Sequence, residues 1–255
     1  GTVIRFYEND NITISGITIT GGSDYIGGGI YIHYSNPILE NVTISGNTAY
    51  FGGGGIYIYH SDPLITDVTI SSNTTGSFVA GGGLYIRQNS TVTISNSEIS
   101  SNTTGSGSAG GGIYINENST VTISNSEIIS NNAGARGGGI YNYSGTVVIE
   151  GSTISGNSSG ENGGGIFSEN GSINITRSLI SSNTSTSSGA AIAFTSTSSN
   201  NINNSTISNN IASQNGGAIY CGQSSNLSLD NVNIFENEAM SGSGGGIEIR
   251  DSDAN

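Results

Sequence analysis

The 255-residue sequence has little charge and few of the residues that form disulfides or large cores. It contains one cysteine, one methionine, two prolines and no tryptophan, and only 9% of its residues are charged. The single cysteine excludes a disulfide framework within the chain. Lysine is absent, and five arginines against 18 acidic residues leave a net charge of −13. An acidic surface repels phosphate, so we expect no nucleic-acid partner.

Long apolar runs are missing as well. No stretch approaches the roughly 20 residues that a membrane-spanning helix needs, so we expect a chain that does not span a membrane. The sequence begins Gly1-Thr2-Val3, without the charged and apolar regions of a signal peptide. We therefore expect that a signal peptide was removed or that this is a piece of a longer protein.

The sequence instead contains a repeat, represented by residues 27–32 with the sequence GGGIYI. The first apolar residue of each copy recurs every 26 to 29 residues, at positions 30, 56, 84, 113, 140, 166, 192, 219 and 247. A fixed period of this length indicates a solenoid, in which one supersecondary unit stacks on the next. We predict a single repeat domain over residues 1–255, without visible end caps.

Each repeat contains three short segments in which Ile, Val or Leu alternates with Thr, Ser or Tyr, the period of a β-strand. Such strands cannot bury their apolar face within one repeat, so stacked parallel coils should enclose a column of aliphatic residues. The predicted fold is all-β, a right-handed parallel β-helix of about nine to ten coils with three strands per coil. Its handedness follows the general rule for parallel crossovers and the resemblance given below.

One asparagine recurs three residues after the central isoleucine of each third strand. Asparagine at a turn can hydrogen-bond to its equivalent in the neighbouring coils, and it tolerates the left-handed backbone of a sharp corner. We predict a structural ladder of Asn47, Asn73, Asn102, Asn131, Asn157, Asn183, Asn210 and Asn237. The segment between this asparagine and the glycines, such as residues 103–109, is predicted to be an exposed loop that includes Ser108.

An aromatic residue follows the first isoleucine of most copies, and strand alternation points it away from the core. Two interpretations are open. The column could be an exposed strip that binds sugar rings or a partner's surface, or its rings could stabilise the sheet by stacking across strands. The candidate binding residues are Tyr31, Tyr57, Tyr85, Tyr114, Tyr141, Phe167 and Tyr220.

Fourteen Asn-x-Ser/Thr sequons are present, and they matter only if the source organism glycosylates asparagine. Those in the asparagine ladder should be sequestered. Sequons in the loop after the first strand should be accessible, which makes Asn89, Asn118, Asn170 and Asn226 the glycosylation candidates.

The enzyme alternative has weak support in the sequence, because polysaccharide-cleaving β-helices need clustered carboxylates or a metal with a basic residue. Glu98 and Glu127 share an outward column, but no arginine lies near them in the sequence. His33 and His60 occupy similar sites without a carboxylate ligand set. We expect no catalytic residues, no metal and no cofactor.

The repeat pairs Ile-x-x-Asn with Gly-Gly-Gly/Ala-Ile, and residues 216–219 read Gly-Gly-Ala-Ile. This pattern resembles the polymorphic outer membrane protein repeats of chlamydial adhesins and related right-handed β-helix surface proteins. The resemblance implies an extracellular or cell-surface protein with a structural or adhesive role. Its partner would be a glycan or another cell's surface. A passive stalk of a larger surface protein is the further alternative.

The ends of the repeat array suggest self-association. Arg5 and Glu248 occupy the aromatic column in the first and last copies, so end-to-end stacking would place opposite charges in one column. We predict that head-to-tail contacts could extend into a filament.

Overall fold

A computed structural model describes residues 1–8, 10–196, 199–223 and 225–250. The first three coils contain β1 (Ile4–Tyr7), β2 (Asp10–Ser15), β3 (Thr18–Thr20), β4 (Ser23–Ile26), β5 (Ile30–His33), β6 (Asn36–Glu40), β7 (Thr43–Ser45), β8 (Thr48–Gly52), β9 (Ile56–Tyr59), β10 (Leu64–Thr66), β11 (Thr69–Ser71) and β12 (Thr74–Thr75). The next three contain β13 (Leu84–Arg87), β14 (Thr91–Ser95), β15 (Glu98–Ser100), β16 (Thr103–Ser106), β17 (Ile113–Ile115), β18 (Thr120–Ser124), β19 (Glu127–Ile129), β20 (Asn132–Gly134), β21 (Ile140–Tyr143), β22 (Thr146–Glu150), β23 (Thr153–Ser155) and β24 (Ser158–Ser159). The last contain β25 (Ile166–Glu169), β26 (Ser172–Thr176), β27 (Leu179–Ser181), β28 (Thr184–Ser185), β29 (Ile192–Thr195), β30 (Ser199–Asn203), β31 (Thr206–Ser208), β32 (Ile211–Ala212), β33 (Ile219–Cys221), β34 (Leu227–Asp230), β35 (Asn233–Phe235), β36 (Glu238–Ala239) and β37 (Ile247–Ile249).

Every fourth strand pairs in parallel, so the chain forms four sheets that run along a β-helix of nine coils plus β37. The first sheet begins with β1 and ends with β37, and the second, third and fourth sheets begin with β2, β3 and β4. Nine steps at the usual strand spacing give a rod about 43 Å long. The part of the chain that the structure describes has no helix long and apolar enough to span a membrane.

The coil has four strands, so the prediction of three is wrong. The missed strand lies in the segment predicted to be a variable loop, and it is as short as two residues, for example Thr74–Thr75 and Ser158–Ser159. Two residues are too few to produce a visible alternation, and serine and threonine carry no apolar signal. Pairing with the neighbouring coils, rather than side-chain hydrophobicity, defines this fourth sheet.

The central core comes from the first three sheets alone. Ile30, Leu39 and Ile44 are fully buried, and their equivalents continue the aliphatic column along the rod. The buried side chains of the fourth sheet are small, such as Ala49 and Ala133, and they do not join that column. The fourth sheet therefore does not contribute to the aliphatic column. It forms a further side of the coil, between the third sheet and the first.

Glycine is required where the fourth sheet returns to the first. The first glycine of each triplet has a positive φ, and a Cβ on Gly27 would lie 2.5 Å from the carbonyl oxygen of Ile30. The third glycine adjoins the asparagine ladder, since a Cβ on Gly55 would lie 3.0 Å from Asn73 Nδ2. The glycine triplet thus turns the chain and leaves room for the asparagines.

The predicted asparagine ladder is present. Asn73 Nδ2 donates to Asn102 Oδ1 at 3.0 Å and to the carbonyl oxygen of Ile44 at 2.9 Å, and Asn73 N also donates to Asn102 Oδ1. Its left-handed backbone was assigned to the wrong residue, however. The positive φ belongs to the preceding residue, Ser72 or Ser101, because the asparagine itself must direct its amide into the buried turn.

Two serine ladders, which the sequence analysis missed, line the other corners. Ser97 N donates to Ser126 Oγ at 3.1 Å, and Ser97 Oγ donates to the carbonyl oxygen of Ser95. Ser61 N bonds in the same way to Ser90 Oγ. Each hydroxyl satisfies a buried N–H of the preceding coil, so serine contributes buried hydrogen bonds where the sequence suggested only low complexity.

Candidate binding surface

The aromatic column lies in register, one residue per coil, on the side of the first sheet that faces away from the core. It is not an exposed strip. Tyr57 and Tyr85 are only 5% and 6% exposed, and Phe167 is 2% exposed. Tyr114 and Tyr220 are partly buried. The prediction of an exposed binding strip is therefore wrong for most of its members, including Tyr31 and Tyr141.

In the first coils, the end of the fourth-sheet strand or the segment just after it folds over this column and helps to bury it. Ile26, Phe51 and Ala80 pack against the tyrosine rings as a second, smaller apolar cluster. The rings of Tyr31 and Tyr57 stack with centroids 5.5 Å apart. Stacking across strands, the alternative interpretation of this column, is the arrangement that the structure contains. Burial accordingly raises the pKa of the Tyr57 hydroxyl to about 12.

The most exposed aromatic residues lie instead on the outer edge of the covering segment. Tyr25, Tyr50 and Phe78 are 59%, 70% and 82% exposed, and we call them the aromatic ridge. The rings of Tyr25 and Tyr50 stack with centroids 5.7 Å apart. The ridge has no regular period in the sequence, although each member stands two or three residues before a glycine triplet.

Phe78 is held in a strained and rigid position. Its φ is +59°, a conformation that a bulky residue rarely adopts, and its ring covers Gly107, where a Cβ would lie 2.6 Å from the ring. Phe78 N donates to the carbonyl oxygen of Ser106, and Val79 N donates to Ser108 Oγ. The backbone on both sides of the exposed ring is therefore fixed by the next coil.

Ser108 contradicts its prediction as an exposed loop residue. It is 1% exposed, and its hydroxyl donates to the carbonyl oxygen of Gly76 while accepting from Val79 N. Ser108 is buried because its hydroxyl bonds to the preceding coil on both sides of Phe78, and these bonds hold the Phe78 segment in place.

A groove of about 380 Å³ opens beside Phe78. Its lining includes Tyr85, Tyr114 and Tyr141 from the column, Phe51 and Phe78 from the covering segments, and the charged pair Arg136 and Glu161. The residues that follow Ile26 in register are all small, namely Gly52, Ala80 and Ala109. Because these covering residues are small, Tyr114 stays partly accessible, and the space beside its ring forms the groove.

The arginine at the groove is paired with two glutamates. Arg136 Nε lies 2.8 Å from Glu161 Oε2, and Arg136 Nη1 lies 3.4 Å from Glu169 Oε2. The Tyr141 hydroxyl donates to the same Glu169 oxygen at 2.7 Å. Burial, together with this acidic partner, raises the pKa of Tyr141, so its hydroxyl stays protonated and serves as a donor.

The residues considered for an enzyme do not assemble into a site with a basic partner. Glu98 and Glu127 are in register on the third sheet, as the sequence indicated, with Thr69 and Thr153 in the flanking coils. The histidines belong to ring stacks, with His33 against Tyr59 and His60 against Tyr34. Within the described ranges, no group of three or more His, Cys, Asp or Glu could hold a metal ion.

The four glycosylation candidates are all exposed, whereas the ladder asparagines that carry sequons are fully buried. Three of the candidates have a positive φ at the turn between the first and second sheets, namely Asn89, Asn118 and Asn170. Asn226 lies just before β34. Accessibility agrees with the sequence analysis, and glycosylation itself stays a prediction.

Arg5 and Glu248 do occupy the aromatic column, opposite Tyr31 and Tyr220. Each already has a partner within the chain. Arg5 Nη2 lies 2.6 Å from Asp24 Oδ2, and Glu248 Oε1 lies 2.9 Å from Arg250 Nε. An end-to-end contact between the two would therefore have to exchange existing ion pairs, and it stays a prediction.

Comparison with known proteins agrees with this architecture. The family described as right handed beta helix region matches residues 1–205, and the chlamydial polymorphic membrane protein repeat matches residues 204–222. The latter match contains the Gly216-Gly217-Ala218-Ile219 copy. No curated protein matches the chain, and no solved structure does. The extent of the first match shows that this chain belongs to the right-handed β-helix family.

Proposed function

We propose that the chain is a surface-displayed, extracellular β-helix that makes adhesive contacts through the aromatic ridge. The observation that carries the proposal is Phe78, a large apolar side chain that is 82% exposed on a backbone with positive φ. Strain of this kind costs on the order of 1–3 kcal/mol and concentrates at functional sites. An exposed ring that is both strained and fixed is better suited to contact than to folding.

The side chains of the ridge and the groove favour a binding role over a catalytic one. The ridge and groove carry aromatic rings, small residues and one arginine that is already paired with two glutamates. The surface location is supported by the match to the polymorphic membrane protein repeat. Release of reducing sugar from acidic polysaccharides by the chain would favour the rival enzymatic role instead.

The test is retention of beads that carry the full chain on cultured epithelial cells and on bacterial cells under flow. We expect the double variant Tyr50→Ser, Phe78→Ser to lose most of the retention while its β-sheet circular dichroism is preserved. Phe235→Ser is the matched control, since Phe235 is 49% exposed on the third sheet in the ninth coil. Equal retention by the double variant and the control would refute the ridge as the adhesive contact.

A further inference from the structure

The groove beside the ridge has the chemistry of a small-ligand site. Its volume of about 380 Å³ falls within the range of ligand pockets, roughly 300–1,000 Å³. The wall is aromatic, and polar groups converge at one end, where Arg136 and Glu161 stand beside Tyr141. Such a combination of apolar surface with a few placed polar groups is typical of ligand-binding sites.

The electrostatics disfavour an anionic ligand. Arg136 is shared between Glu161 and Glu169, so it has no free charge to offer an anion, and the chain as a whole carries −13. An uncharged ligand that presents an apolar face to the rings and hydroxyls to the polar end avoids this repulsion.

We propose that the groove binds one or two sugar units of an uncharged glycan. This inference rests on the proposed adhesive function and names the class of ligand. A pyranose ring has an apolar face for the rings of Tyr114 and Phe78. Its hydroxyls can accept from Arg136 and donate to Glu161 at the rim. Phe78 then serves both the ridge and the groove.

The experiment begins with the full chain on an array of neutral oligosaccharides of glucose, galactose and N-acetylglucosamine, with sialylated and sulfated glycans included. We expect binding to neutral glycans. The affinity for the strongest neutral glycan is then measured by calorimetry for two variants. Ala109→Phe should fill the groove and weaken binding at least about tenfold. Tyr114→Phe, which keeps the stacking ring and the fold, should retain most of the affinity.

Thr91→Phe is the matched control, because it adds the same ring at an exposed position on the second sheet. Full affinity in Ala109→Phe, or binding of acidic glycans alone, overturns the inference. Cell adhesion without binding to any glycan on the array also overturns it but leaves the proposed function standing, with a protein partner. If the unmodified chain neither adheres nor binds a glycan, both proposals fail.

Discussion

At the scale of single residues, each corner of the coil places at least one residue in the left-handed region, but only one corner demands glycine. Asn96, Ser101 and Glu117 all adopt a positive φ at other corners. At the return to the first sheet the residue is glycine in every described copy, because a side chain there would strike the carbonyl oxygen three residues ahead. A repeat rich in glycine is thus a consequence of steric contact as well as of backbone conformation.

This difference gives a matched pair of glycine substitutions. We expect Gly110→Ala to lower the free energy of unfolding by about 1–3 kcal/mol, because φ is +67° and the new Cβ would lie 2.6 Å from the carbonyl oxygen of Ile113. Gly112→Ala should cost less, since the equivalent positions already hold Ala191 and Ala218. A Cβ on Gly112 would also lie 2.6 Å from a carbonyl oxygen, that of Gly139, but Gly112 has no positive φ. Denaturant unfolding measures both variants, and a larger loss for Gly112→Ala would contradict the importance given to the positive φ of Gly110.

Burial of the tyrosine column also makes stability depend on alkaline pH. The pKa of Tyr57 rises from 10.0 to about 12 on folding because its anion would be desolvated. The folded chain keeps a proton that the unfolded chain loses, so this contribution is complete below about pH 10 and is lost as the pH rises towards 12. We expect the denaturant midpoint to fall between about pH 10 and 12, and to fall less in Tyr57→Phe. Identical falls in the two proteins would argue against a buried hydroxyl.

At the scale of elements, the first three sheets could be predicted from the sequence and the fourth could not. Aliphatic alternation, as in Ile30-Tyr31-Ile32, fixes which face is buried, and the asparagine period aligns one coil on the next. The fourth strand contains too few residues for a period, and its inward positions accept alanine, serine or threonine alike. The tyrosine column is buried because the fourth strand and the residues after it fold back over the rings. This is a tertiary contact, and alternation within one strand cannot predict it.

The asparagine ladder is the element-scale device that links one coil to the next, and its loss can be measured. We expect Asn102→Ala to lower the free energy of unfolding by about 1–3 kcal/mol, because the N–H of Asn73 and the carbonyl oxygen of Ile70 lose their buried partner. Asn132→Ala is the control, since Asn132 is exposed and should change stability by less than about 0.5 kcal/mol. Equal melting temperatures for the two variants would be inconsistent with a stabilising ladder.

At the scale of the whole molecule, the rod has distinct sides. Its ridge and groove occupy one edge in the first six coils, whereas the glycosylation candidates stand at the turn between the first and second sheets. Glycans attached at Asn89 or Asn118 would therefore lie on a different corner from the aromatic ridge. The rod can therefore carry attached glycans at one corner and expose the aromatic ridge at another.

End-to-end association tests whether the column continues between molecules. If Arg5 exchanges Asp24 for Glu248 of a second copy, we expect Arg5→Glu to abolish association at high protein concentration and Arg5→Glu with Glu248→Arg to restore it. Analytical ultracentrifugation and electron microscopy report the rod length directly. Single rods at every concentration of the unmodified protein would contradict the filament hypothesis.

The central claim is that the contact surface is the aromatic ridge and that the regular tyrosine column is buried. Tyrosine-directed nitration of the native chain, read residue by residue by mass spectrometry, tests this most directly. We expect rapid modification of Tyr25 and Tyr50 and protection of Tyr31, Tyr57 and Tyr85, with the protection lost on unfolding. Rapid modification of Tyr31, Tyr57 and Tyr85 in the folded chain would contradict the account.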